Sequence, residues 1–426
     1  MRHNDTLIFQ TQFKLQIINW NIHLPKPYNM KQILLLLVSI VLLSTGSIAQ
    51  QTLWGAAGIV SPEIKEDQTV TFRIQAPAAD SVQITGDFLP PVKMKTQFGI
   101  IDMPGKANLT KDEKGIWTFT TQPLGSDLYS YTVIVDGFKT TDPSNVYIIR
   151  DVASIFNVFI VGGGKADLYK VNKVSHGTVA RRWYDSPGNE KSRRMTIYTP
   201  AGYESSKEKY PVLYLLHGMG GDEEAWIALG RTSQILDNLI AQGKAKPMIV
   251  VMTNGNVAQE AAPGESSLGM YKPTFQLPNT MDGKFEEAFP DVIKFIESNY
   301  RVKADKADRA IAGLSMGGFH SLHISRFYPN TFDYVGLFSA AILPDQKVTS
   351  KVYENIDNTL RTQMKNGYKL YWIGVGKADF LYKDVSDYRA KLDGMGMKYT
   401  YRESEGGHTW TNWRVYLSEF VPLLFK

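Results

Sequence analysis

The sequence predicts an α/β domain with a mostly parallel sheet, preceded by a small antiparallel β-sandwich domain. Two observations carry this. From about Gln50 to Val161, short runs rich in β-branched and aromatic residues alternate in period two. Beyond Gly164, near-continuous apolar runs alternate with helical segments, as strands buried on both faces require. A length of 426 residues agrees with two or three domains, at roughly 150 residues each. With 43% hydrophobic and 21% charged residues, the composition is that of an ordinary globular chain.

In chain order, Met30-Lys31-Gln32 leads into an apolar run from Ile33 to Leu43, then Ser44-Thr45-Gly46-Ser47-Ile48-Ala49. This is the pattern of a secretory signal peptide cleaved near Ala49, and Met30 is the expected start of the chain. The run is shorter than the roughly 20 residues of a membrane span. An uncleaved anchor helix is the alternative. The expected location is therefore secreted or periplasmic in a bacterium, with no membrane insertion after cleavage. Residues 1–49 hold +3 of the formal +5, which leaves the mature chain near neutral. That excludes an electrostatic case for nucleic acid. With no cysteine, disulfides, thiolate zinc sites and a cysteine nucleophile are excluded as well.

The sandwich strands are predicted at Val70–Ile74, Ser81–Thr85, Gly115–Phe119 and Tyr129–Val135, separated by Gly, Pro, Asp and Asn clusters. Gly162-Gly163-Gly164-Lys165 marks a flexible join. This sets the domains at 50–162 and 171–426, with 163–170 as linker. Strands of the second domain are predicted at Met195–Tyr198, Val212–Leu216, Met248–Met252, Arg309–Ala312 and Lys369–Val375, and helices at Glu286–Asn299 and Ser386–Gly394.

Gly313-Leu314-Ser315-Met316-Gly317 matches Gly-x-Ser-x-Gly, with an apolar strand running in and a helix-compatible run leading out. That context belongs to the nucleophile turn of an α/β-hydrolase. There a serine sits on a strained strand-to-helix turn, above a helix N-terminus that favours developing negative charge. A serine hydroxyl attacks only when a base takes its proton and a carboxylate holds that base in one tautomer. In this fold the chain order is Ser, acid, His. His408, after a predicted strand at Lys398–Tyr401 and the pair Gly406-Gly407, is the one histidine well beyond Ser315. Asp379, just past Val375-Gly376, is the expected acid. Its rivals are Asp384, Asp387, Glu403 and Glu405. His320 and His323 have the spacing of a metal pair on a helix, but packing is their expected role. His217-Gly218-Met219-Gly220-Gly221 follows a strand end, where the second oxyanion donor of such a site arises. The donors are expected to be the backbone N–H groups of Met219 and Met316, with Gly218 as the alternative to Met219. Neither metal nor cofactor is required by this chemistry.

Four stretches carry a family resemblance: Leu215–Asp222, Ala312–Gly318, Gly376–Phe380 and Gly406–His408. On them the catalytic half resembles carbohydrate esterase family 1, which comprises feruloyl esterases, acetyl xylan esterases and esterase-D-like relatives. The resemblance implies Ser315 as nucleophile, Asp379 as acid and His408 as base. The N-terminal half resembles early-set, glycogen-binding-module-like domains at Trp117, Tyr129–Gly137 and Asp142–Asn145, which implies a small immunoglobulin-like β-sandwich domain. That likeness implies a fold more than a ligand.

The expected substrate is an acylated xylan or xylo-oligosaccharide. Feruloyl release comes first, with Trp226, Phe380 and Trp410 as candidate substrate contacts; core packing is the other role open to Trp226. Acetyl release and a siderophore (enterobactin-type) esterase are the alternatives, with acyl transfer to a sugar a third. A glycan-binding module on an inactive hydrolase fold is the non-enzyme reading.

Overall fold

The computed structural model describes residues 58–96, 99–270, 272–275 and 277–426; the expected signal peptide and its cleavage site lie outside them. Among the described residues no helix is long and apolar enough to cross a membrane.

The N-terminal strands pair antiparallel in two main sheets and a separate hairpin, Val92–Thr96 with Gly99–Met103. One runs Glu63–Ile64, Val70–Gln75, Ile116–Thr120, Thr110–Lys111. The other is built around Asp127–Val135, flanked by Val82–Gly86 and Ser154–Val161. Alternation turns Val70, Phe72 and Ile74 towards Tyr131, Val133 and Phe159, which form the sandwich core. Phe72 meets Tyr131 edge-on at 4.8 Å. The motif that resembles glycogen-binding modules is spent on this core. Trp117 is buried and its indole N–H donates to Ala76 O, while Asp142 accepts from the Tyr131 and Ser61 hydroxyls.

The second sheet has eight strands: β1 Thr178–Ser186, β2 Lys191–Thr199, β3 Val212–Leu216, β4 Ile249–Thr253, β5 Arg309–Leu314, β6 Tyr334–Phe338, β7 Leu370–Gly376 and β8 Thr400–Ser404. Their order is β1-β2-β4-β3-β5-β6-β7-β8. The first two strands pair antiparallel with their neighbours, and β3 to β8 are parallel. The helices of ten or more residues are α1 Thr232–Ala241, α2 Lys284–Asn299, α3 Met316–Phe327, α4 Ile356–Asn366, α5 Tyr382–Met395 and α6 Trp410–Phe420. This is the α/β-hydrolase fold.

Two strands of this sheet were not predicted. β1 is an edge strand of mostly exposed polar residues, which carries no apolar run to recognise. β6 is a five-residue apolar run, too short for periodicity to separate strand from helix.

The parallel register decides where the candidate site residues sit. Leu216 pairs with Gly313, Leu314 with Phe338 and Gly376 with Ser404. The loops after β3, β5, β7 and β8 therefore leave the sheet at one edge, the carboxyl end where such sheets bind ligands.

The segment expected as a linker is packed. Lys165–Tyr169 forms a short helical turn with Ala166 and Tyr169 fully buried, and Asn238 donates to the Leu168 and Lys170 carbonyls. Leu128 of the sandwich joins the same apolar cluster as Trp226, Leu236 and Trp413. Arg414, on α6, donates to Asp127 and to Leu128 O across the boundary. A glycine run signals backbone freedom, but burial against a neighbour is set by residues elsewhere in the chain.

Candidate active site

Ser315 occupies the turn between β5 and α3 with φ 53° and ψ −116°. A non-glycine residue in this region is strained by about 1–3 kcal/mol and must be held by its surroundings. Here its N–H donates to Phe338 O at 2.9 Å, and its carbonyl accepts from Phe319 and Ala341. With its backbone fixed, the side chain projects from the turn and is partly exposed. The flanking glycines are steric necessities. A Cβ at Gly317 would collide with the Leu216 and His217 backbone, and one at Gly313 with that of Gly317. A Cβ at Gly218 would stand 2.6 Å from Leu314 Cδ1 and 3.3 Å from Ser315 Cβ, so the loop after β3 lies directly against the serine.

His217 shapes that loop. Its Nε2 accepts the Gly255 N–H at 2.8 Å, which leaves the ring proton on Nδ1, 2.7 Å from Gly218 O. Burial pulls its pKa down to about 4, so the ring is neutral near pH 7; the Gly218 bond opposes the shift. Gly221 N–H donates to the same carbonyl at 3.1 Å. The Gly218 carbonyl and the Met219 N–H belong to one planar peptide, so holding the first towards His217 turns the second away from it. Neither the Met219 nor the Met316 N–H has a protein acceptor among the described residues. Met316 is the first residue of α3, where backbone donors are unpaired by geometry.

His408 stands on the loop after β8. Its Nδ1 lies 3.0 Å from each carboxylate oxygen of Asp379, whose side chain is fully shielded. Asp379 Oδ1 also accepts the Leu381 N–H at 2.9 Å. Phe380 and Trp413 place rings 4.5 and 4.9 Å from the imidazole. Asn412 donates to the carbonyls of Glu405 and Gly407 and so pins the loop that carries His408. Asn412 and Trp413 were not foreseen, because they act across a turn and follow no fixed spacing. Ser315 Oγ makes no hydrogen bond to His408 here. Such bonds are often long in unliganded sites and shorten when substrate binds.

The rival carboxylates are engaged elsewhere. Glu403 accepts from the Tyr382 and Tyr401 hydroxyls, Glu405 pairs with Lys377, Asp387 pairs with Lys383, and Asp384 lies in the first turn of α5. His320 and His323 face the interior, His320 against Glu286 at 2.8 Å and His323 against Arg326 and Ile342 O. No group of three or more metal-ligating side chains occurs among the described residues.

The aromatic candidates divide. Phe380 is 37% exposed beside His408. Trp410 is half-buried, packed edge-on against Trp226 and Trp413 at 5.2 Å each. Trp226 is 1% exposed, and its indole N–H donates to Leu216 O at 2.9 Å. It is a core residue that ties down the end of β3, not a substrate contact.

A family model described as "Putative esterase" matches residues 186–424, more than half of the chain. The chain belongs to that esterase family. Across 86% of its length this esterase is 30% identical to an endo-1,4-β-xylanase/feruloyl esterase of Xylanibacter ruminicola, of which it covers 46%. It is 26% identical to an acetyl esterase of Caldicellulosiruptor saccharolyticus, over 51% of this chain and 85% of that one. The chain thus spans less than half the length of the first of these relatives. The crystal structure of the enterobactin esterase FES from Shigella flexneri superposes with a TM-score of 0.56 at 15% identity, covering 83% of this chain and 92% of that one. It shares the fold.

Proposed function

We propose that this chain is a secreted serine carboxylic ester hydrolase that releases feruloyl groups from plant cell-wall xylan. The observation that carries the chemistry is the pairing of His408 Nδ1 with the buried Asp379 carboxylate, at the sheet edge where Ser315 sits on its strained turn. With Nδ1 held as a donor, Nε2 is left to accept the serine proton.

Ser315 Oγ attacks the ester carbonyl as His408 takes its proton. The carbonyl oxygen, now negative, is stabilised by the Met219 and Met316 N–H groups. His408 then returns the proton to the departing sugar oxygen, leaving ferulate esterified to Ser315. Water, activated by the same histidine, attacks the acyl-enzyme, frees ferulate and restores the serine. Phe380, whose ring stands 4.5 Å from the His408 imidazole, and Trp410 are the residues we assign to contact with the aromatic acyl group. No cofactor enters these steps.

The feruloyl assignment rests on the Xylanibacter ruminicola relative. Acetyl release from xylan is the second reading, favoured by the acetyl esterase relative. Purified wild-type and Ser315→Ala protein assayed on methyl ferulate, acetylated xylan and ferric siderophore esters test both. Turnover of methyl ferulate that disappears in Ser315→Ala supports the proposal. Turnover of acetylated xylan alone selects the second reading, and siderophore ester turnover alone rejects both.

A further inference from the structure

The sandwich reaches the site through one hairpin. Strands Ile148–Asp151 and Ser154–Val161 are joined at Val152, which has φ 50°. Positive φ is unusual for any non-glycine residue and most of all for a β-branched one, so the surroundings must hold it. They do. Arg150 donates from Nη1 to Val152 O at 3.0 Å, and from Nη2 to Asp222 Oδ2 at 2.6 Å. Asp222 is buried and directly follows the loop assigned to the oxyanion hole. A Cβ at Gly220 of that loop would stand 3.0 Å from Val152 Cγ2, so the hairpin tip rests on the loop itself. Asp151 lies beside Trp410, two residues beyond His408. One turn of the sandwich therefore touches the loop after β3 and the first residue of the helix that follows the His408 loop.

Between this tip and the hydrolase domain lies a cavity of about 500 Å³, within the size range of small-molecule sites. Three arginines and four carboxylates line it. Every arginine is already paired: Arg150 with Asp222, Arg181 in a fork with Glu224, and Arg194 with Glu224 and Glu265. An anion would have to break these pairs. A neutral polyol would not, because its hydroxyls both donate to carboxylates and accept from guanidinium groups. Val152, Ala228 and Leu229 add apolar surface for the C–H faces of a sugar ring.

We propose that this cavity receives the glycan side of the substrate, a neutral pentose oligosaccharide, and that the hairpin tip of the N-terminal sandwich forms one of its walls. The sandwich then selects the leaving group while the hydrolase domain performs the acyl chemistry. This inference rests on the esterase reading given above.

Two variants test it, neither among the residues assigned to acyl chemistry. Ala228→Trp fills the cavity. Arg181→Ala removes one donor whose side chain is half-exposed, so little stability is at stake. On a feruloylated arabinoxylo-oligosaccharide, kcat/KM falls about tenfold in each variant, the scale of one lost charge-assisted hydrogen bond or a steric block. On methyl ferulate it stays within about twofold of wild type. If Ala228→Trp does not fold, Arg181→Ala decides alone. Unchanged kcat/KM on the oligosaccharide ester overturns the proposal, as do equal losses on both esters. Titration of the unacylated oligosaccharide into wild-type and Arg181→Ala protein needs no turnover. Weaker binding in the variant supports the subsite even if the esterase reading fails, and equal binding sinks the subsite even if turnover is robust.

Discussion

Replacing Asp379 with asparagine isolates the role of the carboxylate, because the two side chains have nearly the same shape. Asp379 Oδ1 accepts the Leu381 N–H at 2.9 Å. An asparagine carbonyl oxygen keeps that bond, so the amide nitrogen takes the Oδ2 position, 3.0 Å from His408 Nδ1. An NH2 group facing Nδ1 makes that nitrogen an acceptor and moves the imidazole proton to Nε2. The base then presents a proton to Ser315 where it should present a lone pair. The expected loss in kcat is about 10²- to 10⁴-fold, or roughly 3–5 kcal/mol of transition-state stabilisation. KM should change little, since the buried carboxylate does not meet substrate. The assay is steady-state hydrolysis of methyl ferulate, with ¹⁵N NMR of the His408 ring to report which nitrogen carries the proton. Wild-type kcat in Asp379→Asn, with the ring proton moved to Nε2, would refute this reasoning. So would a large loss in Asp384→Asn or Glu405→Gln without one in Asp379→Asn.

Ser315→Ala is expected to lower kcat by about 10³-fold or more while leaving the melting temperature within a few degrees, measured by ester hydrolysis and calorimetry. Arg414→Ala should cost about 3 kcal/mol of stability, because it removes a buried cation that joins Asp127 and Leu128 O of the sandwich to α6; denaturant unfolding measures it, and a loss under about 1 kcal/mol contradicts the packed boundary. His217 makes stability depend on pH. Its folded pKa of about 4 lies below the ordinary 6.5, so from pH 6.5 down to 4 the unfolded chain binds a proton that the folded chain does not. Stability falls with pH across that window, by about 2 kcal/mol at pH 5. His217→Gln, which cannot titrate there, should show a flatter melting-temperature profile than wild type; parallel profiles would contradict the assignment.

The sequence by itself determined the parts of this protein that depend on neighbours a few residues away. The strained turn at Ser315 was legible because it is local: an apolar strand, small residues and a helix start, all within a dozen positions. The strand cores at Val212–Leu216 and Arg309–Ala312 were legible for the same reason, as unbroken apolar runs. Asp379 was legible only through chain order and a strand end, with four rivals left open. The register of β7 against β8 brings Asp379, and no other carboxylate among the described residues, onto His408, because aligned strand ends deliver their following loops to the same place.

Tertiary structure alone decided the rest. Trp226 was placed in the core by Leu216 O, Phe338 and Trp410, residues that lie up to 184 positions away and cannot be read from its own segment. Residues 163–170 read as a loose join because glycine reports backbone freedom; Asn238 and the cluster around Leu236 hold them in place. The Val152 turn gave no motif, since its significance lies in the surface it meets. Local sequence encodes which conformations a segment can adopt, and long-range packing determines which surfaces that segment then touches.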